Sequence, residues 1–174
     1  IGIAPVASVL AQDDGALTIA ADPFAIPIAE ASFRFAIPEH WIRAVVAAES
    51  NNEPSAVSPK GAIGLMQVMP PTGAELARAH GPDGFRPANL TAPEVNLHLG
   101  AAFFVDMSAR YGGDLPLVLS AYNAGPTRAN RWRRYPEASD PLRFTERIPF
   151  DETRGYVKNV RRNLGVYRVL YGQD

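Results

Sequence analysis

Residues 41–70, WIRAVVAAESNNEPSAVSPKGAIGLMQVMP, decide how the chain is read. At their start Trp41, Ile42, Val45, Val46 and Ala48 recur at three- and four-residue spacings, which predicts an amphipathic helix. Glu49 falls on that apolar stripe, four residues after Val45 and seven after Ile42. A packed helix normally places Leu or Ala there. Two effects raise the pKa of a carboxyl so placed: desolvation by the apolar neighbours, and the partial negative charge of a helix C-terminus. A glutamic acid still protonated near neutral pH is what a general acid requires. The competing reading is a last-turn residue swung out to solvent beside Ser50 and Asn51, and the helix alone leaves both open.

Composition narrows the classes. The 174 residues suit one domain with a real core, and 47% hydrophobic with 20% charged residues describe a globular chain. A net charge of −1 supplies no basic field for nucleic acid or anionic lipid. Arg128, Arg131, Arg133 and Arg134, and again Arg161 and Arg162, read as solvated helix faces. The absence of Cys removes disulfides, thiol nucleophiles and thiolate metal sites. His40, His80 and His98 share no metal-ligand spacing, so neither metal nor cofactor is expected. No apolar run is long enough to span a bilayer as a helix. The start, IGIAPVASVLAQDDG, is apolar to Ala11 and then acidic. It reads either as the tail of an export signal, with Val9 and Ala11 at the cleavage positions, or as an apolar arm. The expected division is therefore an arm or residual leader over 1–22 and one domain over 23–174.

Along that domain the pattern is helical. Asp22-Pro23 reads as a helix start, Ala29–Ala36 as a short amphipathic helix, and Pro38 opens the Glu49 helix. Residues 50–61 form a polar loop, and Gly61 and Gly64 punctuate a turn or small hairpin near 60–70. Thr72 to Glu75 and Thr91 to Glu94 fit capping boxes, the first opening a helix to His80. The second opens a long one with Leu97, Ala101, Phe104, Val105 and Met107 inward, ended by Gly112-Gly113. Asp114 caps LPLVLSAYNAG, residues 126–135 look helical and cationic, and 136–150 read as a Pro-punctuated connection. Asp151 starts a last helix to Tyr171 with Tyr156, Val160, Leu164, Tyr167 and Leu170 on one side. The fold class is mainly α, with at most one small β-hairpin.

Four segments set polar side chains among small or apolar residues at element ends. They are Glu49-Ser50, Gly64-Leu65-Met66-Gln67, Ala121 to Gly125, and Ile148-Pro149-Phe150 leading into Glu152-Thr153. Singly, each has a structural explanation in helix ends and turns; their order and spacing together are harder to explain that way.

The series AAES, SPKGAIGLMQVMP, SAYNAGP and IPFDETRGYV resembles the catalytic domain of the soluble lytic transglycosylases, over about Ile37 to Tyr171. The last of these points to the large doughnut-shaped periplasmic enzymes, whose long superhelical N-terminal region the resemblance does not reach. It implies a lysozyme-like fold similar to goose-type lysozyme, with a glycan-binding groove. It implies Glu49 as the sole catalytic acid, with Ser50 beside it holding the sugar or the acid. Ser58, Gly64, Gln67 and Met69 match groove positions. Tyr122 matches a tyrosine near the catalytic carboxyl, Asn123 supports the same pocket, and Glu152 lies on the far wall, with Tyr156 joining that wall by helical proximity.

The implied reaction is non-hydrolytic cleavage of the MurNAc–β-1,4–GlcNAc bond of peptidoglycan, leaving a 1,6-anhydro end. Most glycosidases use two carboxylates, whereas Glu53, the carboxylate nearest Glu49 in sequence, sits in the solvated loop NNEPS. Two alternatives stand beside the transglycosylase: a muramidase on the same fold that admits water, and a non-catalytic peptidoglycan-binding module of a secretion apparatus. The implied partners are glycan strands, with cell-wall or secretion machinery as a recruiter left unassigned. The implied location is the periplasm or another extracytoplasmic site in a bacterium.

Overall fold

Prolines set most of the helix starts. The computed structural model describes residues 9–11, 17–19 and 22–171. In chain order these form strands β1 (Val9–Ala11) and β2 (Leu17–Ile19), then α1 (Ala25–Phe35), α2 (Glu39–Ser50), α3 (Pro70–His80) and α4 (Pro93–Arg110). There follow α5 (Leu115–Ala124), α6 (Pro126–Trp132), α7 (Pro141–Arg147) and α8 (Asp151–Tyr171), with 3-10 turns at Pro87–Thr91 and Pro136–Ser139. In α3 to α7 a proline occupies one of the first two positions. Its fixed φ suits the helix there, and its missing N–H is one the helix would leave unpaired.

That preference overrides both expected capping boxes. Met69 precedes α3, which Pro70 and Pro71 open, so Thr72 lies inside the first turn. Ala92 precedes α4 with Pro93 first, and Thr91 instead closes the 3-10 turn, its Oγ1 donating to the Ala88 carbonyl at 3.0 Å. The stretch 136–150 is more than a connection. Asp140 Oδ1 accepts from the Leu142 and Arg143 N–H groups at 3.0 and 3.1 Å, Pro141 follows, and Phe144 is buried, which makes α7. Helix α1 begins at Ala25 rather than Ala29, because Asp22 Oδ1 accepts from the Phe24 N–H at 2.9 Å and sets the turn before it.

The β content is small. Strands β1 and β2 pair antiparallel, Val9 opposite Ile19 and Ala11 opposite Leu17, in a stretch with no sequence periodicity. Apart from these strands and Asp22, the reading of 1–22 as arm or leader lies outside the described residues. Near 60–70 two antiparallel bridges, Val57 with Ile63 and Ile63 with Val68, fold the loop back on itself.

Packing centres on α5, which is contacted by α4, α6, α7 and α8, while α2 lies along α8 and α1 along α4. Ile42, Val45 and Val46 of α2 meet a core that includes Leu97, Leu99 and Phe104 of α4, Leu119 of α5, and Val157 and Val160 of α8. Val105 is only half-buried, one residue round the helix from the stripe, and Leu170 in the terminal turn is exposed. Arg43 is a buried cation on α2. It pairs with Asp22 and with Glu39 (3.4 Å), and its guanidinium lies 4.1 Å from the Tyr171 ring centroid. The two ends of the helical unit are thereby tied to the helix that carries Glu49.

Candidate active site

The last turn of α2 delivers Glu49 to a cleft of about 620 Å³. One wall is the loop between α2 and α3, with Ser58, Lys60, Gln67 and Met69; Thr72 of α3 and Phe103 of α4 continue it. The other wall is the end of α5 (Tyr122, Asn123), the Gly125-Pro126 corner and Glu152 of α8. Glu49 is half-buried: part of the residue reaches the cleft, while its carboxyl lies deep enough for desolvation to dominate. Burial pushes its pKa up to about 7, and the negative charge of Glu152 adds to the rise. The Tyr156 hydroxyl, buried beside the carboxyl, pulls the other way. Among the described residues it makes no hydrogen bond of normal geometry.

The loop wall is shaped from behind by one buried side chain. Asn96 of α4 accepts from the Met66 N–H at 2.7 Å and donates to the carbonyls of Ile63 (2.7 Å) and Leu90 (2.8 Å). Gly64 must be glycine: its φ is +81°, and a Cβ there would sit 2.2 Å from Asn96 Nδ2 and 2.4 Å from the Leu90 oxygen. One turn along α4, Gly100 leaves the space that Met66 fills. The loop then turns through Gln67, a non-glycine residue at φ +49°, whose Nε2 donates to the Ala56 and Gly64 carbonyls at 3.1 and 2.9 Å. Among the described residues no donor reaches Gln67 Oε1, which leaves an acceptor at the cleft wall.

The opposite wall is fixed in the same manner. The Tyr122 hydroxyl donates to the Met66 carbonyl at 2.9 Å, locking α5 to the loop. Its ring packs on Phe103 and Phe104, with centroids 5.0 and 6.4 Å away. Burial and the nearby Glu49 charge hold its pKa well above the usual phenol value, so it stays neutral. Thr153 Oγ1 donates to Asn123 Oδ1 at 2.8 Å, which orients that amide from α8. Across the mouth, Lys60 Nζ contacts both carboxylate oxygens of Glu152 at 2.9 and 3.1 Å.

The site residues expected from sequence thus fall into three groups. Glu49, Ser58, Gln67, Met69, Tyr122, Asn123 and Glu152 line one cleft. Gly64 and Tyr156 lie behind its surface, as backbone room and as a neighbour of the acid. Ser50 does not line it; its Oγ donates back to the Val46 carbonyl at 3.2 Å. Glu53 is turned into its own loop, where its carboxylate accepts from the N–H and hydroxyl of Ser55 at 2.9 and 2.6 Å. Sequence reading missed Lys60, Thr72, Phe103 and Asn96. Only Asn96 left a signal: it is a polar residue four before Gly100 on an otherwise apolar helix face, the mark of a surface receiving backbone rather than side chains.

Comparison with known proteins defines the class. The family model described as the transglycosylase SLT domain matches residues 26–144, and the soluble lytic transglycosylase helical domain matches 147–174, which takes in α8. The chain is 37% identical over 138 residues to the soluble lytic murein transglycosylase of Escherichia coli, covering 78% of this chain and 21% of that one. It is 29% identical over 170 residues to the membrane-bound lytic murein transglycosylase C of Histophilus somni, covering 84% of this chain and 46% of that one. Among solved structures, an inactive glutamate-to-glutamine mutant of the lytic transglycosylase Slt from Pseudomonas aeruginosa superposes with a TM-score of 0.80 at 34% identity. That match covers 87% of this chain and 25% of the other. The 70 kDa soluble lytic transglycosylase of Escherichia coli gives 0.77 at 33%, covering 85% and 24%. The fold is accordingly mainly helical and lysozyme-like. The chain belongs to the transglycosylase SLT domain family, and it spans about a fifth of the length of the soluble relatives it matches.

Proposed function

We propose that residues 23–174 form a peptidoglycan lytic transglycosylase domain that uses Glu49 first as acid and then as base. The observation that carries this reading is one carboxyl at the base of a cleft, held by burial near the pH at which it can both give and take a proton. Among the described residues Glu152 is the one other carboxylate lining the cleft, and Lys60 occupies both its oxygens. The inactive glutamate-to-glutamine form of the Pseudomonas aeruginosa neighbour supports an indispensable glutamate in proteins of this kind.

In the proposed sequence a MurNAc–β-1,4–GlcNAc segment lies along the cleft. Glu49 donates its proton to the glycosidic oxygen as the C1–O bond breaks, and the 2-acetamido carbonyl of MurNAc stabilises the cation developing at C1. Glu49, now ionised, takes the proton of the MurNAc C6 hydroxyl as that oxygen bonds to C1. The products are a 1,6-anhydro end and a free GlcNAc hydroxyl; no water is consumed and Glu49 regains its starting state. Gln67 Oε1 and the Asn123 amide supply the hydrogen-bonding groups for the sugar, while Met69 and the ring of Tyr122 supply apolar contact. Holding the C6 hydroxyl against C1 gives it a large effective concentration over stray water.

The proposed substrate places the domain outside the cytoplasmic membrane, in the periplasm or an equivalent space. Among the described residues no helix is long and apolar enough to cross a membrane. The test is to incubate the chain and its Glu49→Gln variant with peptidoglycan sacculi and weigh the soluble fragments. Anhydro-muropeptides from the unsubstituted chain alone are expected. Fragments heavier by one water, about 18 mass units for the hydrolytic route, would instead identify a muramidase, with Glu152 the group to suspect. Pelleting of both forms on sacculi without release of fragments would identify a binding module.

A further inference from the structure

Two contacts join the walls of the cleft, one deep and one at the rim. The deep one is the Tyr122 hydroxyl on the carbonyl of the buried Met66, at 2.9 Å. The other runs from Lys60, on the loop between α2 and α3, to Glu152 in the first turn of α8. Lys60 Nζ stands 2.9 and 3.1 Å from the two Glu152 carboxylate oxygens, and the side chains are 75% and 68% exposed. Both residues line the cavity that Glu49 lines at its base, so their side chains form a strap from wall to wall at its mouth. The cation is also of the kind that lets go. Of the chain's 17 Lys and Arg residues only Lys60 and Lys158 are lysines. Arginine would grip the carboxylate with a rigid planar fork, whereas lysine is a point charge on a flexible stem. An exposed pair of this kind favours the closed state by up to about fivefold, about 1 kcal/mol. That is too little to hold the fold and small enough for the strap to open repeatedly.

We propose that Lys60 is a specificity-determining residue: with Glu152 it forms a strap beneath which the free end of a glycan strand passes, and which the interior of a strand must part. This rests on the reading of the cleft as a peptidoglycan transglycosylase site, and it narrows the substrate to strand ends in preference to strand interiors. A free end enters the cleft lengthwise. A strand interior continues on both sides, so it enters only sideways, through the mouth that the strap crosses. The closed population therefore sets the ratio of end cuts to interior cuts, and salt, by screening an exposed pair, lowers that ratio.

The pair's own chemistry supplies the test. A water-soluble carbodiimide joins an ammonium to a touching carboxylate: the Lys nitrogen bonds to the Glu carbon, and one carboxylate oxygen leaves with the reagent as its urea. The expected products are a Lys60–Glu152 isopeptide and a Lys158–Glu146 isopeptide, from pairs at 2.9 and 2.8 Å, located by peptide mass spectrometry. Lys60→Met, treated alike, forms the second alone and controls for other carboxyl modification. Each protein is then given isolated glycan strands of defined length, and products are sized: end cuts release disaccharides, interior cuts release mid-length fragments. The Lys60–Glu152 cross-linked chain should keep releasing disaccharides while its mid-length fragments fall by about fivefold or more. Untreated Lys60→Met should raise the interior-to-end ratio by about two- to fivefold at low salt, and should lack the rise with salt that the unsubstituted chain shows. Absence of the Lys60–Glu152 isopeptide overturns the proposal. So does a cross-linked chain that cuts interiors as often as before, or one that stops cutting ends while treated Lys60→Met continues. If the untreated chain cuts no strand at all, the transglycosylase reading falls by itself. The strap is then judged by binding: the cross-linked chain should retain short free strands and lose intact sacculi, and equal loss or retention of both overturns it.

Discussion

Replacing Glu49 by Gln should stabilise the protein at alkaline pH while abolishing its chemistry. Burial lifts the Glu49 carboxyl from an ordinary 4.5 to about 7. At about 1.4 kcal/mol per pH unit of displacement, the unsubstituted protein gives up about 3 kcal/mol as this group ionises in the fold. The direction follows from proton binding. The folded value is the higher one, so between about 4.5 and 7 the native state holds a proton that the unfolded chain has released. This group's contribution to stability is complete below about pH 4.5, declines as pH rises through about 7, and is level above it. Glutamine has nothing to release. Urea unfolding of the two proteins should give similar free energies at about pH 4 and a gap of about 3 kcal/mol in favour of Glu49→Gln at about pH 9. For a chain of this size the gap corresponds to about 6–12 °C in Tm. Other titrating groups cancel in the difference. A gap that fails to open between pH 4.5 and 7, or an unsubstituted protein that is the more stable at high pH, would refute the buried-acid argument. A buried carboxyl that costs the fold stability is the trade expected of an active-site group.

Four further substitutions, at three positions, probe the surroundings of the acid. Asn96→Ala removes all three hydrogen bonds behind the loop and should cost about 3 kcal/mol or more by urea denaturation, at ~1–3 kcal/mol for each buried group left unpaired. Asn96→Asp should cost more near neutral pH, because a carboxylate would face the Ile63 and Leu90 carbonyls; protonation on acidification should recover part of the loss. Tyr156→Phe removes a hydroxyl that lowers the Glu49 pKa through a contact short of normal hydrogen-bond geometry. Stability should hold within ~1 kcal/mol, while the alkaline limb of the sacculus-digestion profile moves to higher pH. Gly64→Ala should cost about 3 kcal/mol or more, from a strained positive φ together with contacts that backbone cannot relieve, read as a lower Tm.

What the sequence made legible is what lies along the chain. The Glu49 helix, the Asp114 cap and the long Asp151–Tyr171 helix follow from periodicity and capping, because each depends on residues a few positions apart. Errors arose where two local signals competed. At Thr72 and Thr91 the capping boxes lost to prolines that pre-set the helical φ, and α7 was passed over because Pro141 was read as a breaker when Asp140 before it made it a helix opener. Ser50 shows the limit of residue-by-residue transfer: a hydroxyl one position past the acid has a nearer acceptor in its own helix.

What the sequence could not display is pairing across the fold, and the site depends on it. Lys60 with Glu152, and Asn96 with the Met66 backbone, join residues separated by 92 and 30 positions. These contacts matter because a carboxyl poised near pH 7 by burial is sensitive to water: a loosened wall would admit solvent and let the pKa relax toward 4.5. The Met66 peptide is gripped at its N–H by Asn96 and at its carbonyl by Tyr122, so the α4 and α5 helices meet at one residue of the loop. Glycines at 64 and 100 let that residue sit close to α4. The GLMQ segment therefore acts less as a set of ligand contacts than as a clamped spacer, whose rigidity keeps the Glu49 neighbourhood dry enough to hold that carboxyl's pKa near 7.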